Sequence, residues 1–456
     1  MIRGYADSAI ALQFTVSDQE LVSRIKDSLQ WPNPDFAKRE HMGKSTYGCP
    51  RDIVLWQKRG TEILVPFGML QPLAKSGILV RPTDHLVSHE RVFSGEVEGL
   101  YSYQKEALEA ALKAKNGVLV APCGSGKTQI GIAICASLGL RTLWLTHTQE
   151  LLKQSMERAK RYLDVPMGTI TAGKVNAGSC LTFATVQTMS KIDLTPFKEF
   201  WDVIIVDECH RCTGTPTQVT MFWKVLSSLS ARYKIGLTAT PKRADNMERA
   251  MYALLGPKFF EIAREQVKAT TCPLTVAEPI PTEWMPDFDK VLNPDGTLNY
   301  TNLITNCIED EHRNLVVSDI IDFAAADGPV LVLSERVAHL ETLQKMCKYP
   351  SGNLSSAKKS DRKDLIGGLA SGTIKVLFAT YAIAKEGLDI PCLKHLVIAS
   401  PIKDEIAVTQ SAGRVMRAYP EKTEGMIWEF EDGMQMLQKW MRKRLSIYNK
   451  INGGNT

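Results

Sequence analysis

Short runs of consecutive apolar residues, rich in β-branched side chains, recur along the chain. Each is followed by a stretch whose apolar positions repeat at helical spacing. A first series comprises Gly117–Pro122, Thr142–His147, Leu181–Val186, Val203–Glu208 and Lys234–Thr240. A second comprises Val330–Ser334, Lys375–Thr380, His395–Ser400 and Met426–Phe430. A strand that is apolar on every residue has no face to give to water, so both faces of its sheet must be covered. Such strands alternating with helices predict parallel sheets, and two series predict two α/β domains. Between the series, from about Pro257 to Arg313, Pro273, Pro279, Pro281, Pro286 and Pro294 predict a connector with an insertion. Before both, Asp52–Leu55 and Glu62–Val65 predict short strands and Asp18–Leu29 an amphipathic helix, together a small accessory α+β domain. Met434–Ile451 carries an apolar helical stripe and the basic residues Lys439, Arg442, Lys443, Arg444 and Lys450, with no acid after Asp432. That helix is either a solvated face covering the second domain or a nucleic-acid contact. The resulting division is 1–95 accessory domain, 96–260 first α/β domain, 261–312 connector, and 313–456 second α/β domain with its basic helix.

Composition agrees and narrows the partners. At about 150 residues per domain, 456 residues make roughly three domains. With 44% hydrophobic and 23% charged residues the chain is globular, and its core needs no disulfide or metal staple. A net charge of +5 permits an acidic partner without requiring one, and excludes a purely electrostatic binder. The ten cysteines lack framework spacing, which predicts reduced thiols in a cytosolic compartment. Cys209 and Cys212 have no second pair to complete a metal site. Asp7 and the lack of a long apolar run argue against a signal peptide, and no run suggests a membrane span. His41, Lys44, Tyr47, Arg51, Trp56, Lys58 and Arg59 form a basic-aromatic mixture that reads either as a nucleic-acid surface or as a packed Trp56 among solvated charges.

The strand starting at Gly117 leads into Ala121-Pro-Cys-Gly-Ser-Gly-Lys-Thr128, a phosphate-loop pattern with Ala121 in place of its first glycine. Here Pro122, Cys123, Gly124, Ser125 and Gly126 would turn backbone N–H groups around phosphate oxygens. The following helix offers its positive end to the same anion. Lys127 supplies a charge for the β- and γ-phosphates of ATP, and the Thr128 hydroxyl ligates Mg²⁺. A second strand ends in Asp207-Glu-Cys-His210. Asp207 suits Mg²⁺ held through water, and Glu208 suits orientation or deprotonation of an attacking water. His210 is placed to pass information to the next motif, and Cys209 to pack.

These motifs, in this order, resemble those of superfamily 2 helicases, over most of the chain from Gly99 onward. The resemblance implies two tandem RecA-like parallel-sheet domains with ATP in the cleft between them. Leu100-Tyr-Ser-Tyr-Gln104 resembles the segment in which Gln104 reads adenine, with Tyr101 where the family often has arginine. Gly236-Leu-Thr-Ala-Thr-Pro241 resembles the motif whose Thr238 and Thr240 couple hydrolysis to domain movement. In Ala379–Pro391, Thr380, Gly387 and Asp389 match motif V, with Gly387 and Asp389 on the nucleotide side. In Gln410-Ser-Ala-Gly-Arg-Val-Met-Arg417, Gln410, Arg414 and Arg417 match the catalytic motif VI, whose arginines stabilise charge as the γ-phosphate leaves. The nucleic-acid contacts implied are Thr146, Thr171, Gly173, Thr185, Gln187, Ser334, Arg336 and Thr380, gripping one strand through its phosphates. The phosphate loop, acid box and Thr-Ala-Thr run resemble most the DNA helicases of the XPB group and the phage UvsW type.

That likeness implies a DNA partner that is forked, branched or partly single-stranded. It also implies ATP-driven unwinding, branch migration or fork regression in replication, repair or recombination, in a bacterial or phage-infected cytosol. Residues 1–95, the connector and the basic helix would form a junction-specific wedge, and a monomer is favoured. An RNA helicase and a double-stranded DNA translocase without strand separation are the alternatives. A binding module on a decayed motor is disfavoured, because Lys127, Asp207, Glu208, Gln410, Arg414 and Arg417 are all present.

Overall fold

The continuous apolar runs become the central strands of two parallel sheets, one in each of two units, residues 1–263 and 264–456. The structure, a computed structural model, describes residues 2–15, 18–87, 90–122, 124–241, 246–267, 271–358, 360–385, 388 and 390–452.

In the first unit the main sheet has eight strands. Their order is Lys174–Asn176, Met167–Thr171, Leu181–Thr185, Thr142–Thr146, Val203–Asp207, Tyr233–Thr238, Asn116–Val120 and Lys258–Glu261. All pairs are parallel except the outermost, Lys174–Asn176. The five central strands are buried at every position, as strands covered on both faces must be. The outer strands carry no continuous apolar run, and their burial explains it. Met167–Thr171 alternates half-buried and buried, and Lys258–Glu261 is exposed at both ends.

Residues 1–95 contribute a separate five-stranded sheet, in the order Gln57–Arg59, Glu62–Pro66, Ala9–Gln13, Arg3–Ala6 and Leu79–Pro82. Only the last pair is parallel. This α+β segment does not stand apart. One apolar cluster runs from Ile2 and Leu12 through Phe67 and Leu86 to Val225 and Leu255. Gly68 lies so close to the end of helix Glu248–Leu255 that a Cβ there would sit 2.4 Å from the Tyr252 carbonyl oxygen. Gln71 Nε2 donates to the carbonyls of Ala114 (2.7 Å) and Asn116 (3.0 Å), and Asp7 pairs with Lys198 at 2.6 Å. Trp56 is packed against the cluster with Lys26 over its ring, whereas Tyr47 is 95% exposed.

The second unit has a six-stranded parallel sheet, in the order Leu274–Val276, Gly425–Trp428, His395–Ile398, Val330–Ser334, Val376–Thr380 and Ser351–Asn353. The stretch expected as a connector, 261–312, therefore divides differently. Leu274–Val276 is an edge strand of this sheet, and Ile280–Pro281 pairs with Phe430–Glu431. Trp284, Val291, Leu303 and Cys307 pack with Leu437 in their own cluster. Proline is tolerated here because these strands lie at edges.

The terminal helix Gln435–Ile451 buries Leu437, Met441, Arg444, Tyr448 and Ile451. Arg444 does not join a basic face: its guanidinium makes a bidentate pair with buried Glu429 and donates to the Ile402 carbonyl. Lys443 pairs with Glu405 at 2.5 Å. The acids absent from the helix are supplied by the body it covers. Among the described residues no helix is long and apolar enough to cross a membrane, and the nine described cysteines are all unpaired.

Candidate nucleotide and nucleic-acid sites

Strand Asn116–Val120 delivers the phosphate loop, Val203–Asp207 the acid pair, and Tyr233–Thr238 between them the Thr-Ala-Thr run. All three are parallel and in register, Val120 beside Thr238 and Leu237 beside Asp207, so their motifs emerge at one edge. Gly124 (φ 85°) and Gly126 (φ 77°) hold left-handed conformations that wind the loop inward. Gly126 then starts helix Lys127–Leu138, where Thr128 is the second residue. A side chain at Gly126 would meet Gln104 Nε2 at 2.4 Å.

Gln104 is buried, and its carboxamide bridges two pieces of backbone. Nε2 donates to the Ser125 carbonyl (2.9 Å), and Oε1 accepts from the Tyr101 N–H (3.0 Å). Gln104 therefore supports the loop from behind, in addition to any adenine contact. Lys127 Nζ lies 3.4 Å from the Ala121 carbonyl.

Asp207 and Glu208 are adjacent, and the coupling pushes them apart. Burial and the Glu208 charge raise the Asp207 carboxyl, to about 7. Burial also works against the Glu208 charge, but Lys127 and His210 outweigh it and hold Glu208 down, to about 2. Glu208 has left-handed backbone (φ 51°), which a non-glycine residue adopts at a cost. His210 is buried, with Nδ1 3.1 Å from Thr238 Oγ1 and 3.2 Å from Glu208 Oε2. Thr238 Oγ1 also accepts from the Thr240 N–H at 3.2 Å. The acid box and the Thr-Ala-Thr run are thus one hydrogen-bonded unit, with His210 the joint. Cys209 packs, its Sγ 3.5 Å from Met251 Sδ.

These residues suit ATP and Mg²⁺. The Ser125 hydroxyl is buried without a hydrogen-bond partner, beside a helix N-terminus with two left-handed glycines. A buried carboxyl raised toward neutrality is one that a divalent cation would ionise. Lys127, Ser125 and the loop backbone would hold the phosphates, and Thr128 and Asp207 the metal. Cys123, Gly387 and Asp389 lie outside the described residues.

In the second unit, helix Glu405–Val415 carries Gln410 and Arg414. Gln410 is half-buried, and its Oε1 is a buried acceptor without a partner. Arg414 differs from expectation. It is 6% exposed, and its two terminal nitrogens donate to the carbonyls of Leu388 and Ala384, tying motif VI to motif V. Arg417, just past the helix, is half-buried, bridges to Thr271, and accepts at its carbonyl from Lys422 Nζ (2.8 Å).

The residues implied as nucleic-acid contacts gather at strand ends. Thr171, Thr185 and Thr146 end three adjacent parallel strands of the first unit, with Thr185 in register with Thr146. Ser334 is in register with Thr380 in the second. Gathering is not presentation, however. Thr146 is fully buried, and its hydroxyl lies 3.1 Å from the Thr148 carbonyl. Thr185 is buried with its hydroxyl on Thr188, and Ser334 is fully buried with its hydroxyl on His339. In this conformation these three hydroxyls hold the strand ends and do not meet solvent. Gln187 Nε2 donates to the His147 carbonyl at 2.5 Å. Thr171, Arg336 and Thr380 are half-buried, and Gly173 is exposed in the turn between Met167–Thr171 and Lys174–Asn176.

Residues 98–243 match the family described as type III restriction enzyme, res subunit, and residues 312–419 match the helicase conserved C-terminal domain. The chain belongs to the superfamily 2 helicases. Among curated proteins this helicase is 27% identical over 363 residues to a protein of Acanthamoeba polyphaga mimivirus provisionally named as an ATP-dependent RNA helicase. That match covers 76% of this chain and 63% of the relative, so the chain spans a little under two thirds of that protein's length. It is 31% identical over 171 residues to DNA 3'-5' translocase XPB2 of Sulfurisphaera tokodaii, covering 37% of each chain. Among solved structures, the ATP-dependent Type ISP restriction-modification enzyme LlaBIII bound to DNA has a TM-score of 0.57 at 15% identity, over 83% of this helicase and 32% of that chain. At that identity the likeness concerns the fold alone. The crystal structure of T4 UvsW is matched over 99% of this chain and 97% of that one, at 18% identity and a TM-score of 0.43.

Several residues of this helicase's sites carry no sequence signal. The Arg414 anchorage depends on where motif V folds, and Asn314 and His339, behind Ser334, lie outside the motifs read from the sequence.

Proposed function

We propose that this helicase hydrolyses ATP to move along or separate DNA strands, acting on forked or branched DNA. The observation that supports it most is the joining of phosphate loop, acid pair and Thr-Ala-Thr run at one sheet edge, with His210 bonded to Thr238. ATP supplies the phosphoanhydride bond whose hydrolysis drives the cycle, and Mg²⁺ offsets charge on its phosphates. Lys127 places a cation on the phosphates, and Glu208, held as the anion, orients the attacking water. We assign Arg417 to charge stabilisation during phosphoryl transfer and Arg414 to positioning, since its two terminal nitrogens donate to the carbonyls of Leu388 and Ala384. Release of the phosphate would reach Thr238 and Thr240 through His210.

The name of the S. tokodaii relative favours DNA, and that of the mimivirus relative favours RNA as the second reading. A strand-displacement panel tests the choice, using forked DNA, a four-way junction, a tailed duplex and the equivalent RNA duplexes. Displacement of forked or branched DNA is expected. Displacement of RNA alone would replace this reading with the second, and movement along duplex DNA without displacement would make the chain a translocase only.

A further inference from the structure

Ser334 ends a central strand of the second unit, and the next residues, Glu335 and Arg336, begin the loop into helix Val337–Met346. Its hydroxyl cannot meet a phosphate while fully buried. It is instead the middle of a hydrogen-bond chain whose direction is fixed at one end. Asn314 Nδ2 donates to the Ile308 carbonyl at 2.8 Å, which leaves Oδ1 facing His339 Nε2 at 2.9 Å. An amide oxygen only accepts, so Nε2 carries the imidazole proton and Nδ1 is the acceptor. The Ser334 O–H, 2.9 Å from Nδ1, must therefore donate to it. Ser334 Oγ then turns its lone pairs to the Arg336 N–H, at 3.3 Å.

Every proton in this chain has one position, and each member except Arg336 is buried. The imidazole stays neutral, since burial and nearby Arg313 push it down to about 3. Glu335 is held on either side of the same loop: its N–H donates to Ser400 Oγ (2.8 Å), and its carboxylate accepts from the Tyr300 hydroxyl (3.1 Å). Tyr300 and Asn314 come from helices that precede the strand, so those helices fix the loop's backbone. Arg336 is the one member of the chain with a charged side chain reaching solvent.

We infer that His339 and Asn314 are positioning residues for nucleic-acid binding, acting through the Ser334 hydroxyl to set the backbone of Arg336, and that Arg336, not Ser334, makes the phosphate contact. This rests on the nucleic-acid function proposed above. The test is a binding cycle with the full chain and a fluorescent single-stranded DNA oligonucleotide, over a series of salt concentrations. Each variant is first shown to unfold cooperatively. Arg336→Ala removes one phosphate contact, which lowers affinity about fivefold at 0.1 M salt and reduces the log–log salt slope by about 0.7. His339→Leu and the smaller change Ser334→Ala are expected to give the same loss and the same change of slope. In the Arg336→Ala background neither should lower affinity further, because both act through that contact. His339→Asn, which keeps an acceptor near the position of Nδ1, should restore binding at least in part. Additive losses, an unchanged slope in His339→Leu, or a loss with Asn as large as with Leu would overturn the inference while leaving the proposed function intact. Absence of oligonucleotide binding by the unaltered protein would overturn both.

Discussion

At the residue scale, the two motif VI arginines separate by what they touch. Arg414 satisfies two backbone carbonyls from a buried position, whereas Arg417 is half-buried. Arg414→Ala should therefore lower stability by about 1–3 kcal/mol, since buried acceptors lose their donor. Denaturant unfolding should show this as a lower midpoint. Arg417→Ala should leave the midpoint near that of the parent and cut ATP turnover by roughly 10³-fold or more, the scale of an arginine finger. Glu208→Gln should retain ATP and hydrolyse it roughly 10²–10⁴-fold more slowly, as the loss of a general base would dictate. Filter binding and phosphate release separate the two effects. Spacing made the identity of these residues readable. Their orientation was not, because whether a hydroxyl or guanidinium faces the core or solvent depends on neighbours far away in sequence. Thr146, Thr185 and Ser334 read as contacts and fold as internal struts.

At the scale of elements, strands buried on both faces announced themselves, and edge strands did not. Val203–Asp207 is buried at all five positions, but Lys258–Glu261 and Leu274–Val276 show no such run. One central strand carries an exception. Lys234, in Tyr233–Thr238, is fully buried at the seam with the N-terminal segment. Its Nζ donates to the Leu226 carbonyl at 2.9 Å and lies 4.6 Å from the centre of the Phe67 ring. Burial pushes its amine down to about 7, against the opposing pull of Asp7. The unfolded lysine holds its proton up to about 10.5. Between these values the unfolded state binds more protons, so this group makes stability rise with pH from about 7 to about 10.5. Lys234→Met keeps the volume and removes the buried amine. It should raise stability at pH 7 by on the order of 1–4 kcal/mol and flatten the rise above it. Urea unfolding at several pH values checks both; an unchanged pH dependence would count against a neutral buried amine.

At the scale of the whole molecule, the sequence predicts an accessory domain, two α/β domains and a connector, and the structure divides into two units, residues 1–263 and 264–456. The two strand series lie one in each unit, and the N-terminal segment, expected to be a domain of its own, shares one apolar cluster with the first α/β sheet. Removing residues 1–95 should therefore expose apolar residues of the shared cluster, including Leu254 and Leu255, and yield an aggregating protein. Light scattering of the truncated chain tests this; a well-behaved monomer with the parent's thermal midpoint would show the segment to be dispensable. The modest net charge also gains a local account, since Arg444, Lys443 and Lys198 are answered by Glu429, Glu405 and Asp7.

The proposed activity is tested most directly by phosphate release from ATP with and without DNA, for the unaltered chain and Lys127→Ala. Release that rises on adding forked or single-stranded DNA, and is lost in Lys127→Ala, is expected. Release that no nucleic acid stimulates, or that persists in Lys127→Ala, would contradict a nucleic-acid motor powered from this site.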